Sequence, residues 1–236
     1  MAANTQLIVS ELLDRHGRLY AEDAGIKLAD RPAPLYQLLV MATLLSAPIA
    51  AETGIGAARE LFAAGYRNPK AMSEASWQDR VDALGRGHYR RYDEKTATQL
   101  GDGADLLTSK WHGDLRRLRD QSGGDVPGIT ALLTEFPGLG PVGAGIFLRE
   151  AQEVWPGVAP YVDAKVTSGA HRIRLPADRE SLAALLAGCG QPARLAAALV
   201  RVSLSQRAAS EITALARDLP SGQARAIRSF AVRTTG

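Results

Sequence analysis

The chain has 236 residues, of which 46% are hydrophobic and 22% charged, with a net charge of +3 and a pI of about 9.2. That length accommodates one large or two small domains with a sizeable core, and the basic balance leans towards an anionic partner. No run approaches the roughly 20 apolar residues of a membrane span and no signal peptide opens the sequence, so a cytoplasmic protein without a membrane partner is expected. The single cysteine, Cys189, excludes an internal disulfide framework and suits a reducing compartment. It equally excludes an iron–sulfur cluster, which takes about four thiolates. Abundant alanine and leucine with few long β-branched runs predict an all-α fold.

Residues 5–16 put Leu7, Ile8, Leu12 and Leu13 on one face of an amphipathic helix, and a polar connection then runs to Pro34. Residues 35–47 are apolar almost all round, the pattern of a buried central helix. Ile55, Ala58, Leu61 and Phe62 mark the next helix, and Ser76-Trp77-Gln78-Asp79 is a capping box opening a helix to Leu84. The following loop, with Arg86, His88, Tyr89, Arg90 and Arg91 beside two glycines, is suited either to phosphates and a base stack or to an ordinary solvated helix cap. A long helix runs to about Trp111 despite Gly101 and Gly103. Residues 114–121 form a basic helix carrying Arg116, Arg117 and Arg119, read as a solvated face or as a DNA contact. Gly123-Gly124 breaks the chain.

A short apolar pattern (Ile129, Leu132, Leu133, Phe136) then meets Pro137-Gly138-Leu139-Gly140, and a second (Val142, Ile146, Phe147) starts behind Pro141. Glycine permits the tight turn, and proline suits the first turn of the second helix, whose free amides then form a ready phosphate site. Further helices are expected over residues 166–173, 179–186 and 193–204. A helical tail follows to about Ala231, in which Arg201, Arg207, Arg217, Arg225, Arg228 and Arg233 stand against Glu211 and Asp218. His16, His88, His112 and His171 are scattered without metal-ligand spacing, so no side-chain metal site is expected.

The run Phe136 to Ala144, the Gly/Pro-rich loop from Trp155 to Pro160 and the Val162-Asp163 pair together resemble the helix-hairpin-helix of the endonuclease III-like DNA glycosylase superfamily. The resemblance covers roughly residues 5–175. It implies a six-helix bundle over about 34–157, a second helical domain from 1–33 and 158–236, and a cleft between them. It further implies a monomer on double-stranded DNA, gripped through Gly138, Leu139, Gly140, Val142 and Gly143 and through the Arg86–Arg91 loop, with a monovalent cation on hairpin carbonyls. Gln37 and Ser46 on the central helix then read a base edge or satisfy a helix carbonyl. Tyr161 stacks on a flipped base or packs on the proline-rich loop.

Asp163 corresponds to the essential aspartate, whose bland alternative is a helix cap. Bifunctional relatives carry a Schiff-base lysine where Val142 stands, so a monofunctional glycosylase is expected; Lys165, the only nearby amine, pairs with Asp163 or a phosphate, or serves as a minor lyase nucleophile. Pro48 replaces the family's duplex-entering glutamine. The nearness to endonuclease III favours a modified pyrimidine such as 5-hydroxymethyluracil. The competing classes are a non-catalytic DNA-binding protein of the same fold, and a bundle that binds another protein.

Overall fold

The computed structural model describes residues 3–218, and among these there are helices and turns but no strand. In chain order they are α1 (Ala3–His16), α2 (Tyr20–Asp23), α3 (Pro32–Leu45), α4 (Ala51–Ala63), α5 (Pro69–Glu74), α6 (Trp77–Arg86), α7 (Asp93–Trp111), α8 (Leu115–Gln121), α9 (Val126–Leu133), α10 (Pro141–Ala151), α11 (Ala164–Arg172), α12 (Arg179–Gly188), α13 (Pro192–Leu204) and α14 (Gln206–Asp218). The side chains of Arg217 and Asp218, and the tail that carries Arg225, Arg228 and Arg233, lie outside the described residues. No described helix is long and apolar enough to cross a membrane.

The chain divides into two compact units, Leu19–Tyr161 and the pair of segments Met1–Arg18 and Val162–Gly236. The expected division at 33/34 and 157/158 therefore sits elsewhere, for a local reason at each end. The buried Glu150 carboxylate of α10 accepts the Tyr20 and Ala21 amides at 3.3 and 2.9 Å, binding α2 into the central unit. At the other end the Gln152 side chain, buried beside it, accepts the Tyr161 amide at 2.9 Å and carries the unit's edge to that residue.

In the central unit α3 packs against α4, α7, α8 and α10. Its all-round apolarity is explained by that setting: Leu35, Leu38, Leu39, Met41 and Leu44 are all buried, each contributing about 1.5–3 kcal/mol. The helix begins earlier than its apolar run because Pro32 occupies the first turn, where no amide is needed. It stops at Leu45, three residues before Pro48, whose ring disfavours helical geometry in the residue ahead of it. The capping box forms as expected, Ser76 Oγ accepting the Asp79 amide at 3.0 Å, and its helix continues to Arg86.

Gly101 lies inside α7 because a β-carbon there would stand 2.7 Å from an Arg80 nitrogen. The buried Arg80 guanidinium fills that space and donates to the carbonyls of Met72, Ala75 and Ala97 at 2.8–2.9 Å, tying α5, α6 and α7 together. The basic α8 is largely neutralised within its own unit. Arg116 pairs with Asp114 at 2.7 Å, and Arg119 with Asp30 and Asp120 at 3.1 Å, over the Trp155 ring.

In the other unit α13 packs against α1, α11, α12 and α14. Gly169 of α11 lies so close to α13 that a β-carbon would come within 2.6 Å of the Leu199 carbonyl carbon. Only glycine allows the two backbones that approach.

Candidate functional site

Two of the stretches singled out in the sequence meet at the C-terminal end of α3, inside the central unit. The first is the turn between α9 and α10. Phe136 stacks on Trp111 with centroids 5.6 Å apart, and Leu139 is buried with its amide donated to the Phe136 carbonyl at 3.0 Å. Gly138 takes a left-handed φ of 81°, and the Gln99 amide occupies the space a side chain would need. Gly140 caps α10 through its backbone, and Pro141 follows in the first turn. Among the described residues no acceptor serves the amides of Gly140, Val142 or Gly143, as the first turn of a helix requires. The Leu139 amide is used within the turn and Pro141 has none, which leaves Gly140, Val142 and Gly143 as the amides without an acceptor among the described residues.

Val142 stands 71% exposed beside those amides. Gly143 is pressed against Ser46, with no room for a β-carbon between the Ser46 hydroxyl and Leu139 Cδ1. Ser46 thus supports α10 and returns its own hydroxyl proton to the Ala42 carbonyl at 2.6 Å. Gln37 lies nine residues earlier, about 13 Å along the axis, and donates to the Arg67 carbonyl at 3.4 Å. The two positions do not converge on one pocket: Ser46 bonds a carbonyl of its own helix, whereas Gln37 bonds a carbonyl of the loop after α4.

The second stretch is the loop after α6. The Tyr89 amide bonds the Leu84 carbonyl and the His88 amide the Gly85 carbonyl, both at 3.0 Å, closing α6 with His88 in the left-handed position at φ 60°. This turn alternates the side chains. Arg86, His88, Arg90 and Arg91 face solvent, while Gly87 lies against the backbone of α4. Tyr89 is 2% exposed and donates to the Leu44 carbonyl at 3.2 Å. Tyr89 therefore anchors the loop from inside, and its ring is not on the surface offered to a ligand. Leu44 and Ser46 are two residues apart, about 3 Å along α3, so α10 and the arginine loop are fastened to one helix end. Arg86 is partly countered by Glu60 at 3.3 Å, and Arg91 lies over the Tyr92 ring, whereas Arg90 has no carboxylate partner among the described residues.

Asp163 opens α11 in the other unit. Its Oδ1 accepts the Lys165 and Val166 amides at 2.9 and 3.0 Å, the geometry of an N-cap. Lys165 is exposed and meets Asp163 through its backbone amide; its ammonium forms no ion pair with a described carboxylate. Tyr161, half-exposed, is held by the Gln152 bond at the edge of the central unit. His88, His112 and His171 are exposed on separate elements.

Sequence inspection missed Arg80, Glu150 and the Asp30–Arg119–Trp155 group, in which the indole also donates to Asp30 at 2.9 Å. These are structural residues, and only the unusual glycine in α7 hinted at one of them. No protein-family model, curated protein or solved structure matches this chain.

Proposed function

We propose that the protein is a monofunctional DNA glycosylase of the endonuclease III-like, helix-hairpin-helix type, acting on double-stranded DNA through a cleft between its two helical domains. The observation that carries this reading is the fastening of the α10 N-terminus and the arginine loop to one end of α3. Unpartnered amides, the positive end of a helix dipole and three exposed arginines form a surface fitted to successive phosphates. The carbonyls of Pro137, Gly138 and Leu139 receive no backbone amide among the described residues, which suits a monovalent cation there. Such a cation would add positive charge facing the DNA backbone.

Excision starts when the target nucleotide leaves the stack, at a cost of a few kcal/mol that is least for damaged or mispaired bases. The base departs with the electron pair of its N-glycosidic bond, leaving positive charge on the sugar. The Asp163 carboxylate stabilises that charge and orients a water, whose oxygen forms the new bond to C1′ while its proton passes to the carboxylate. Val142, standing where bifunctional relatives have lysine, cannot form a Schiff base, so an intact abasic site is the product. A modified pyrimidine such as 5-hydroxymethyluracil is the favoured base.

A non-catalytic DNA-binding protein is the second reading, favoured by the capping geometry of Asp163. Duplexes carrying uracil, 5-hydroxymethyluracil, thymine glycol, mismatched thymine, 8-oxoguanine or alkylated purines separate the two. Alkali-dependent strand breaks at one base support excision. Duplex binding with no product on any lesion supports the second reading, and breaks without alkali would reinstate Lys165 as a lyase.

A further inference from the structure

The unit that contains Asp163 also has a cavity of about 340 Å³ between the C-terminal end of α11 and one face of α14. It lies at the far end of α11 from Asp163, nine residues away and about 13 Å along the axis. Its polar groups are nearly all donors. Arg172 spends Nη1 on the Val202 and Ser203 carbonyls at 3.1 and 2.7 Å and one Nη2 hydrogen on Gln206 Oε1 at 2.7 Å. Of its five N–H groups, the Nε hydrogen and one Nη2 hydrogen remain. Because the Gln206 oxygen is already used, its amide nitrogen is the end left to donate. Among the described residues, Arg174 forms no ion pair with a carboxylate, the Ser210 hydroxyl makes no hydrogen bond, and no carboxylate lines the cavity. Its described acceptors are neutral hydroxyls, Ser210 and a Thr213 that donates its hydrogen to the Ala209 carbonyl at 2.7 Å, against two cationic side chains.

The backbone fixes where Arg174 stands. The Leu175 amide bonds the Ala170 carbonyl at 3.0 Å and the Arg174 amide the His171 carbonyl at 3.2 Å, so Arg174 fills the left-handed position that closes α11, at φ 60°. Glycine is the usual occupant, since any side chain is disfavoured there. Non-glycine residues close α6 and α7 in the same way, at His88 and His112; what distinguishes Arg174 is its place on the rim of a donor-lined cavity, beside a second arginine locked by three bonds.

We propose that this cavity binds a phosphate group, with Arg174 and Arg172 as its paired guanidinium forks and Ser210 and Gln206 as neutral donors. Phosphate fits better than carboxylate: donors on four side chains approach from several directions, and a tetrahedral anion with three or four oxygens can use them where two coplanar oxygens cannot. The group belongs either to a free phosphate ester or to the backbone of a nucleic acid. The site stands independently of the glycosylase reading.

The decisive variant is Arg174→Gly, which removes one fork while supplying the residue the left-handed turn favours, so the fold is kept. The full chain is titrated with inorganic phosphate, adenosine monophosphate, an undamaged DNA duplex and acetate, following backbone amides of residues 172–175 and 206–213 and arginine Nε–H signals by NMR. Saturable shifts at Arg172, Arg174 and Ser210 with a phosphate carrier are expected, weakened at least tenfold in Arg174→Gly, whose melting temperature is unchanged or raised. Response to the small phosphates alone assigns a free ester; the same shifts with the duplex assign the nucleic-acid backbone. No saturable shift with any phosphate carrier, an undiminished response in Arg174→Gly, or acetate binding as tightly as phosphate would overturn the proposal.

Discussion

The proposed duplex grip makes a quantitative demand on salt dependence. Each phosphate neutralised by a cationic side chain contributes about 0.9 to the slope of log K against log salt. Arg90 and Arg91 face solvent without a described carboxylate partner, so replacing both by alanine should reduce the slope by about 1.8. Between 50 and 200 mM salt, a fourfold change, wild-type affinity should then fall about 12-fold more than that of the double variant. Arg86 differs because Glu60 lies 3.3 Å away. Arg86→Ala should change the slope by less than one phosphate's worth, and Glu60→Gln should steepen it. Fluorescence anisotropy on an undamaged duplex measures these four proteins and the single variant Arg90→Ala. A double-variant slope within about 0.5 of wild type would refute the assignment of this loop to phosphates, as would equal effects of Arg86→Ala and Arg90→Ala.

Two further outcomes concern the fold, one in each unit. Gly143→Ala drives a methyl group against Ser46 and Leu139 Cδ1, at 2.7 Å from the latter, and should cost about 1–3 kcal/mol in urea denaturation; adding Ser46→Ala should recover only part of this, because Leu139 remains, and an unchanged midpoint in the single variant would refute the close approach. His16 has its pKa lowered, first by burial and then by Arg15 and Arg201, with Glu211 opposing. Its folded value lies below the unfolded value of about 6.5, so this contribution to stability is complete above that pH and is lost as the pH falls through it, when the unfolded chain takes up a proton that the folded chain resists. His16→Gln should flatten the fall in urea midpoint between pH 7.5 and 5.5, and an identical pH profile would contradict the burial effect.

What the sequence disclosed follows from the range of the forces involved. The apolar run of α3, the capping box at Ser76 and the turn between α9 and α10 are written in neighbouring residues, and each formed where its pattern lies. Asp163 shows the same locality, its capping bonds reaching only two and three residues ahead. Arg119 was legible as a charge but not as the partner of Asp30, 89 residues away, nor was the bond from Trp155 to Asp30, 125 residues apart. Tyr89 failed for a subtler reason. Composition put it in a basic aromatic loop, but the left-handed turn at His88 decides which side chains face out, and that turn sits on a histidine where a glycine would have marked it. Gly101 read as a weakness in α7 because the guanidinium that fills its place comes from α6.

The central claim is that Asp163 provides a charge at the reacting sugar as well as a cap. Asparagine caps a helix about as well as aspartate, so Asp163→Asn removes the charge while leaving the start of α11 intact. Single-turnover excision of the preferred base, scored as alkali-labile breaks, is therefore the most direct measurement, with urea denaturation run on the same proteins. Wild type should release the base, Asp163→Asn should be slower by about 10²–10³-fold at unchanged stability, and Asp163→Ala should be equally slow and less stable by about 1 kcal/mol. Excision by Asp163→Asn at the wild-type rate would contradict the claim and leave Asp163 a structural cap alone.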